Sequence, residues 1–120
     1  MNWNQAIGVR GEALAVEFLH AQGFTIIEQN WRAGRSEVDL IVHRKKELHF
    51  IEVKTSTTDI FGLPEERINL AKRNALANAA EKFLELNPTW KEVIFDVLSI
   101  SIIKKMEPEF YLIEDIRINP

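Results

Sequence analysis

The chain has no cysteine. That excludes a disulfide framework and any cysteine-ligated zinc site, and it fits a reducing compartment. No apolar run approaches the ~20 residues that a membrane span requires. Met1 to Gln5 lack a basic stretch leading into an apolar one, so no signal peptide is expected. The expected setting is cytoplasmic, with no membrane contact. There is no glycine-rich phosphate loop, which argues against a nucleotide hydrolase. There is no G-x-S-x-G elbow, and His20, His43 and His49 lie on a helix end and a hairpin, which argues against a serine–histidine–acid triad. Nor is there an excess of basic residues. The net charge is −3, which counts against a general nucleic-acid binder, although an acidic metal cluster would mask local basicity.

What is present suffices for one folded unit. With 46% apolar residues in 120, one domain over residues 1–120 is expected. Its centre is the stretch Glu37 to Lys54. Two arms rich in apolar and β-branched residues flank the charged bridge Arg44-Lys45-Lys46, the pattern of a β-hairpin. Side chains alternate along a strand. Leu48, Phe50, Glu52 and Lys54 therefore share a face, as do Glu37, Asp39 and Ile41. A connection with an even number of residues pairs 43 with 48, 41 with 50, 39 with 52 and 37 with 54. An odd connection would turn the apolar face outward, so the even register is adopted. It sets Asp39 opposite Glu52 and makes an ion pair the simplest role for Glu37 with Lys54.

Two carboxylates facing each other across a ladder repel. A hard divalent cation, Mg²⁺ or Mn²⁺, held by one or two carboxylates and water, is the usual remedy. Lys54 adds positive charge beside any anion bound there. Merely solvated charges on a surface hairpin are the competing reading. A carboxylate pair for glycoside hydrolysis fits poorly, because the two acids would be adjacent rather than flanking a sugar.

Elsewhere, residues from about Asn4 to Ala21 read as a helix with the stripe Ile7, Gly11, Leu14, Ala15 and Phe18. Glu12 borders that stripe, either as a solvated acid or as an acid at the edge of a core face near two glycines. Gly8 and Gly11 suggest close backbone packing, and Gln22-Gly23 is a stop signal. Phe24 to Arg32 is a first strand, so three sequential strands suggest an antiparallel meander. After the polar loop from Thr55 to Leu63, Pro64-Glu65-Glu66 opens a second helix running to about Leu86. Its expected buried face is Ile68, Ala71, Ala75, Ala79 and Phe83, with Leu76 and Leu86 beside it. Arg67, Lys72 and Arg73 lie in its first half. Glu92 to Ile103 is a strand apolar on both faces, hence covered on both sides, with Asp96 interrupting one. Glu109 to Ile118 is a last strand at an edge. The order α-β-β-β-α-β-β gives an α/β fold, a mixed five-stranded sheet flanked by helices.

Several of these residues also occur in a known series. Asp39, a short hairpin, then Glu52-Val53-Lys54 resembles the PD-(D/E)xK nuclease signature of restriction endonucleases and archaeal Holliday-junction resolvases. The ordered set Gly8-Val9-Arg10-Gly11-Glu12-Ala13-Leu14-Ala15, Asn30-Trp31-Arg32, Glu37 to Ile41 and Phe50 to Thr55, continuing through Gly62, Pro64, Lys72 and Phe95-Asp96-Val97, resembles the YraN-like family of uncharacterised bacterial proteins. Ser36 departs from the glycine that this pattern usually has before the acid. The resemblance covers nearly the whole chain and implies a restriction-endonuclease-like fold. It implies Glu12, Asp39 and Glu52 as carboxylates for Mg²⁺ or Mn²⁺ and Lys54 as the catalytic lysine.

The expected activity is a metal-dependent endonuclease acting on nucleic acid, DNA rather than RNA, with branched DNA as a candidate substrate. Arg32, Arg35, Lys72 and Arg73 are the expected contacts to backbone phosphates. The alternative is a nucleic-acid-binding module that does not cleave. A homodimer is a candidate assembly, with Phe110 to Ile118, Trp3 and Trp90 as candidate contact surfaces.

Overall fold

Helical periodicity at the start of the chain produces α1 (Trp3–Ala21), and the alternating stretches that follow produce β1 (Thr25–Ala33), β2 (Ser36–Arg44) and β3 (Glu47–Ser56). α2 (Leu70–Leu86), β4 (Ile94–Ser101) and β5 (Glu109–Ile113) complete the order. The computed structural model describes residues 3–57 and 70–116. The expected helix start at Pro64, Arg67, Ile68, most of the loop after β3 and residues 117–118 lie outside the described residues, while β5 ends at Ile113, short of the expected Ile118, because Glu114 to Ile116 are not paired as strand.

The five strands form one sheet in the order β1-β2-β3-β4-β5. The first three are the expected antiparallel meander. β4 lies parallel to β3, and β5 closes the far edge antiparallel to β4. A parallel neighbour needs a crossover, and the segment containing α2 provides it. The hairpin register is the even one: Ile41 pairs with Phe50 and His43 with Leu48. Arg44 pairs with Glu47, leaving Lys45-Lys46 as a two-residue turn with Lys45 at φ 57.

Each helix covers one face. On one side Ile7, Ala15 and Leu19 of α1 join Leu40, Val42, Ile51, Leu98 and Ile100. On the other, Leu76, Ala79, Ala80 and Phe83 of α2 join Val38, Ile41, Leu48 and Phe50. The α2 face differs from the expected one. Ala71 and Leu86 are exposed, and the buried row is Leu76, Ala79, Ala80 and Phe83. Alanine occurs on every side of this helix, so its apolar pattern leaves the rotation undetermined, and tertiary packing selects it.

α1 ends in a Schellman arrangement. Phe24 N–H donates to Leu19 C=O and Gly23 N–H to His20 C=O. Gly23 sits at φ 91, where only glycine is unstrained. The other α1 glycines divide. A Cβ on Gly11 would overlap the Thr55 methyl, whereas one on Gly8 would meet nothing within 4 Å among the described residues. Gly8→Ala is therefore expected to stabilise by up to about 1 kcal/mol through helix propensity. Gly11→Ala is expected to destabilise by roughly 1–2 kcal/mol, because overpacking outweighs that gain. Thermal melts of the two variants should move in opposite directions.

Candidate active site

The centre of the site is a fork in the sheet. The β2–β3 ladder runs from the turn to Leu40↔Ile51 and stops there. Beyond that point β2 stays paired with β1, through Trp31↔Val38 to Ala33↔Ser36. β3 stays paired with β4, through Glu52↔Val97 to Ser56↔Ser101. The strands part at Asp39 and Glu52, so these two are not the ladder pair that strict alternation implies. Alternation itself breaks on β2. Val38 and Ile41 both pack on the α2 side, while Leu40 packs on the α1 side.

Asp39 occupies the gap. Its Oδ2 accepts a 2.8 Å hydrogen bond from Val53 N–H, which satisfies a backbone donor that the vanished ladder would otherwise leave open. The neighbouring strand is irregular too. Gln29 pairs with Leu40 and Trp31 with Val38, so Asn30 falls across from Asp39, with φ 51. Asparagine tolerates that left-handed conformation better than most residues.

Glu52 is buried, on the face that carries Phe50. Lys54 Nζ stands 3.3 Å from its Oε1, and Lys72 Nζ reaches across from α2 to within 3.2 Å of its Oε2. Oε2 is fully buried and, among the described residues, receives no well-directed hydrogen bond. Burial, and next the Glu52 charge, push the Asp39 carboxyl up from 3.8 to about 6, against the opposing pull of Val53 N–H, Lys72 and Lys54. The site thus holds two carboxylates, one of them with two ammoniums within 3.3 Å.

The residues fit a Mg²⁺ or Mn²⁺ ion in part. One to two carboxylates plus water are the usual protein share of such a site. Asp39 and Glu52 provide them, with Glu52 Oε2, which carries the Lys72 ion pair, as a ready ligand atom. Glu12 is not drawn into the pair. It is exposed on α1, and among the described residues no three His, Asp or Glu side chains converge as a metal-binding group.

Of the cationic candidates, Arg32 makes a 2.8 Å ion pair with Glu37, its ladder partner on β1–β2. The expected Glu37–Lys54 pair does not form, because the fork carries β3 away and leaves β1 as the neighbour. Arg35 is exposed in the β1–β2 turn, and Arg73 is half-buried on α2. Lys72 faces Glu52. Sequence reasoning missed that contact, although Lys72 lies four residues before the buried Leu76 on a helix where such spacing shares a face.

Residues 11–100 match the family described as "Uncharacterised protein family UPF0102". The chain belongs to this family. It is the YraN-like family of the sequence resemblance. Relatives named "UPF0102 protein" include one from Chloroherpeton thalassium, 39% identical over 83% of this chain and 78% of its own. One from Dictyoglomus turgidum is 36% identical, covering 87% and 89%. One from Clostridium perfringens is 35% identical, covering 82% of each. Among solved structures, Pyrococcus furiosus SfsA in complex with Ca²⁺ aligns with 92% of this chain at 17% identity and a TM-score of 0.38. The chain spans 63% of that protein, and the likeness is too weak to assign a fold. Among the described residues, no helix of this UPF0102 chain is long and apolar enough to cross a membrane.

Two other candidates take structural places. Trp90 is half-buried rather than exposed. It packs on the α2-side cluster, with its ring 5.7 Å from that of His43. Asp96 lies on the α1 side of the sheet. Its Oδ2 holds His49 Nδ1 at 2.6 Å, and its Oδ1 accepts from Asp115 N–H at 2.9 Å. Burial alone would lower the His49 pKa, but the hydrogen bond and charge of Asp96, with the charge of Glu47, raise it above 6.5. A histidine with a raised folded pKa contributes stability below its unfolded value, and this is lost as pH rises through the folded value. Asp96→Asn is therefore expected to cost roughly 2–3 kcal/mol. The cost should be larger at pH 6 than at pH 9, as read by urea unfolding at both.

Proposed function

We propose that this protein is a metal-dependent nuclease of restriction-endonuclease-like fold that hydrolyses phosphodiester bonds of nucleic acid, with DNA as the substrate class. The observation that carries the reading is the forked sheet. Where β2 and β3 part, the Asp39 carboxylate takes over a ladder hydrogen bond near buried Glu52, on which two lysines converge. Such a placement costs stability, and it becomes intelligible if the acids have work to do.

Asp39 and Glu52 would hold Mg²⁺ or Mn²⁺, which supplies Lewis acidity to a phosphate and acidity to a water. Every other task falls to the chain. Lys54 places a positive charge where negative charge builds on the phosphate in the transition state. Arg35, with Arg32, Lys72 and Arg73, contacts backbone phosphates and so positions the substrate without reading its sequence. Glu12, through the resemblance, would act as a third acid by way of water. A homodimer would present two such sites to two strands.

The second reading is a nucleic-acid-binding module without cleavage, and the exposed, separate position of Glu12 favours it. Wild type and Asp39→Asn, compared on branched, single-stranded and duplex DNA with Mn²⁺, decide between them. The nuclease reading expects cleavage of at least one substrate and a drop of roughly 10²–10³-fold in the variant, the scale of losing a group that acts on the transition state. Equal cleavage by both, or none by either, removes the catalytic assignment.

A further inference from the structure

Lys72 enters the site by way of the core. It belongs to the α2 row Lys72–Leu76–Ala79–Phe83, whose other three members are buried. Residues three and four apart share a helix face, so the row that seats α2 on the sheet also aims Lys72 inward. Its side chain is 33% exposed and its Nζ stands 3.2 Å from Glu52 Oε2. Its charge also acts on Asp39, more strongly than that of Lys54 does. The Lys72 ammonium thus takes up an oxygen of the buried member of the pair, the oxygen that a bound cation would need.

We propose that Lys72 is a built-in counter-ion that fills the cation position of the Asp39–Glu52 pair and is exchanged for the divalent ion when the ion binds. This rests on the reading of the pair as a cation site. An ammonium and a divalent cation repel strongly at contact distance in a partly buried site. The ion therefore binds to molecules in which Lys72 has left Glu52, and its apparent affinity falls with the fraction of such molecules. Lys54 pairs with the other oxygen of Glu52, Oε1. The device keeps two neighbouring acids neutralised while no ion is present, without a third carboxylate or a bound ion to hold them apart.

The test is calorimetric titration of Mn²⁺ into the full chain without nucleic acid. If Lys72 is in place about nine-tenths of the time, Lys72→Met should bind Mn²⁺ roughly tenfold more tightly than wild type. Lys54→Met should gain less, and Asp39→Asn should bind more weakly than wild type. If wild type binds and Lys72→Met binds no more tightly, the exchange is overturned and the cation site stands. If neither wild type nor Lys72→Met binds, both fall. A second measurement avoids variants that fail to fold. In wild type with ¹³Cε-labelled lysine, the Lys72 signal should shift saturably on Mg²⁺ addition while those of exposed Lys45 and Lys105 stay in place. A Lys72 signal unmoved at saturating Mg²⁺ overturns the exchange.

Discussion

Replacing Asp39 with asparagine should make the protein more stable while removing the proposed cleavage. The Asp39 carboxyl is pushed up to about 6 by burial first and by the Glu52 charge second. The folded state therefore binds this proton more tightly than the unfolded chain, whose value is near 3.8. Stability from this group is fully present below the unfolded value and is lost as pH rises through the folded one. The loss between pH ~4 and ~6 amounts to about 2–3 kcal/mol. The Asp39→Asn amide oxygen can still accept from Val53 N–H, and the variant removes the repulsion with Glu52. It gives up the attraction to Lys72 and Lys54, so the net gain at pH 8 is roughly 1–2 kcal/mol. For a chain of this size that is a melting point about 3–10 °C above wild type. The gap should close toward pH 4. Millimolar Mn²⁺ should narrow or reverse it, because binding stabilises only the form that binds. A variant less stable than wild type at pH 8 would mean that Asp39 is a structural acid, well paired as it stands.

The largest loss of stability is expected from Phe50→Ala. Phe50 is 1% exposed, and its ring meets those of Phe83 and Phe95 at 5.7 Å, both edge-on. Trp31 lies 6.5 Å away. Deleting such a ring leaves a cavity bounded by large rigid groups and costs about 3–5 kcal/mol, out of a total near 5–15 kcal/mol. A fall of roughly 10–20 °C in melting temperature follows. The consequence reaches the site, because Phe83 and Lys72 belong to the same row of α2 and Glu52 lies two residues beyond Phe50. A loss under about 1.5 kcal/mol in urea unfolding would mean that α2 is not seated by these rings.

Much of this was legible from local pattern. Alternation and turn length put Ile41 against Phe50 and His43 against Leu48, and the ladder has those pairs. The meander, the edge position of β5 and the coverage of β4 on both faces also follow from apolar runs and their lengths. What sequence could not show is where a ladder ends. Nothing in Glu37-Val38-Asp39 marks the parting of β2 from β3, because β3 leaves in order to continue its parallel pairing with β4, far along the chain. That single event turned Glu37 toward Arg32 and Asp39 toward a backbone N–H. The His49–Asp96 contact was equally hidden, since it depends on the parallel register of β3 and β4. The inward turn of Lys72 was obscured by alanines at 71, 75, 77, 79 and 80, which blur the apolar face of α2.

The central claim is that Asp39 and Glu52 form a divalent-cation site at the fork. A crystal soaked in Mn²⁺ tests it most directly. The account predicts an anomalous peak between the two carboxylates, about 2.0–2.2 Å from an oxygen of each. A peak elsewhere, or none at millimolar Mn²⁺ with both side chains ordered, would contradict it.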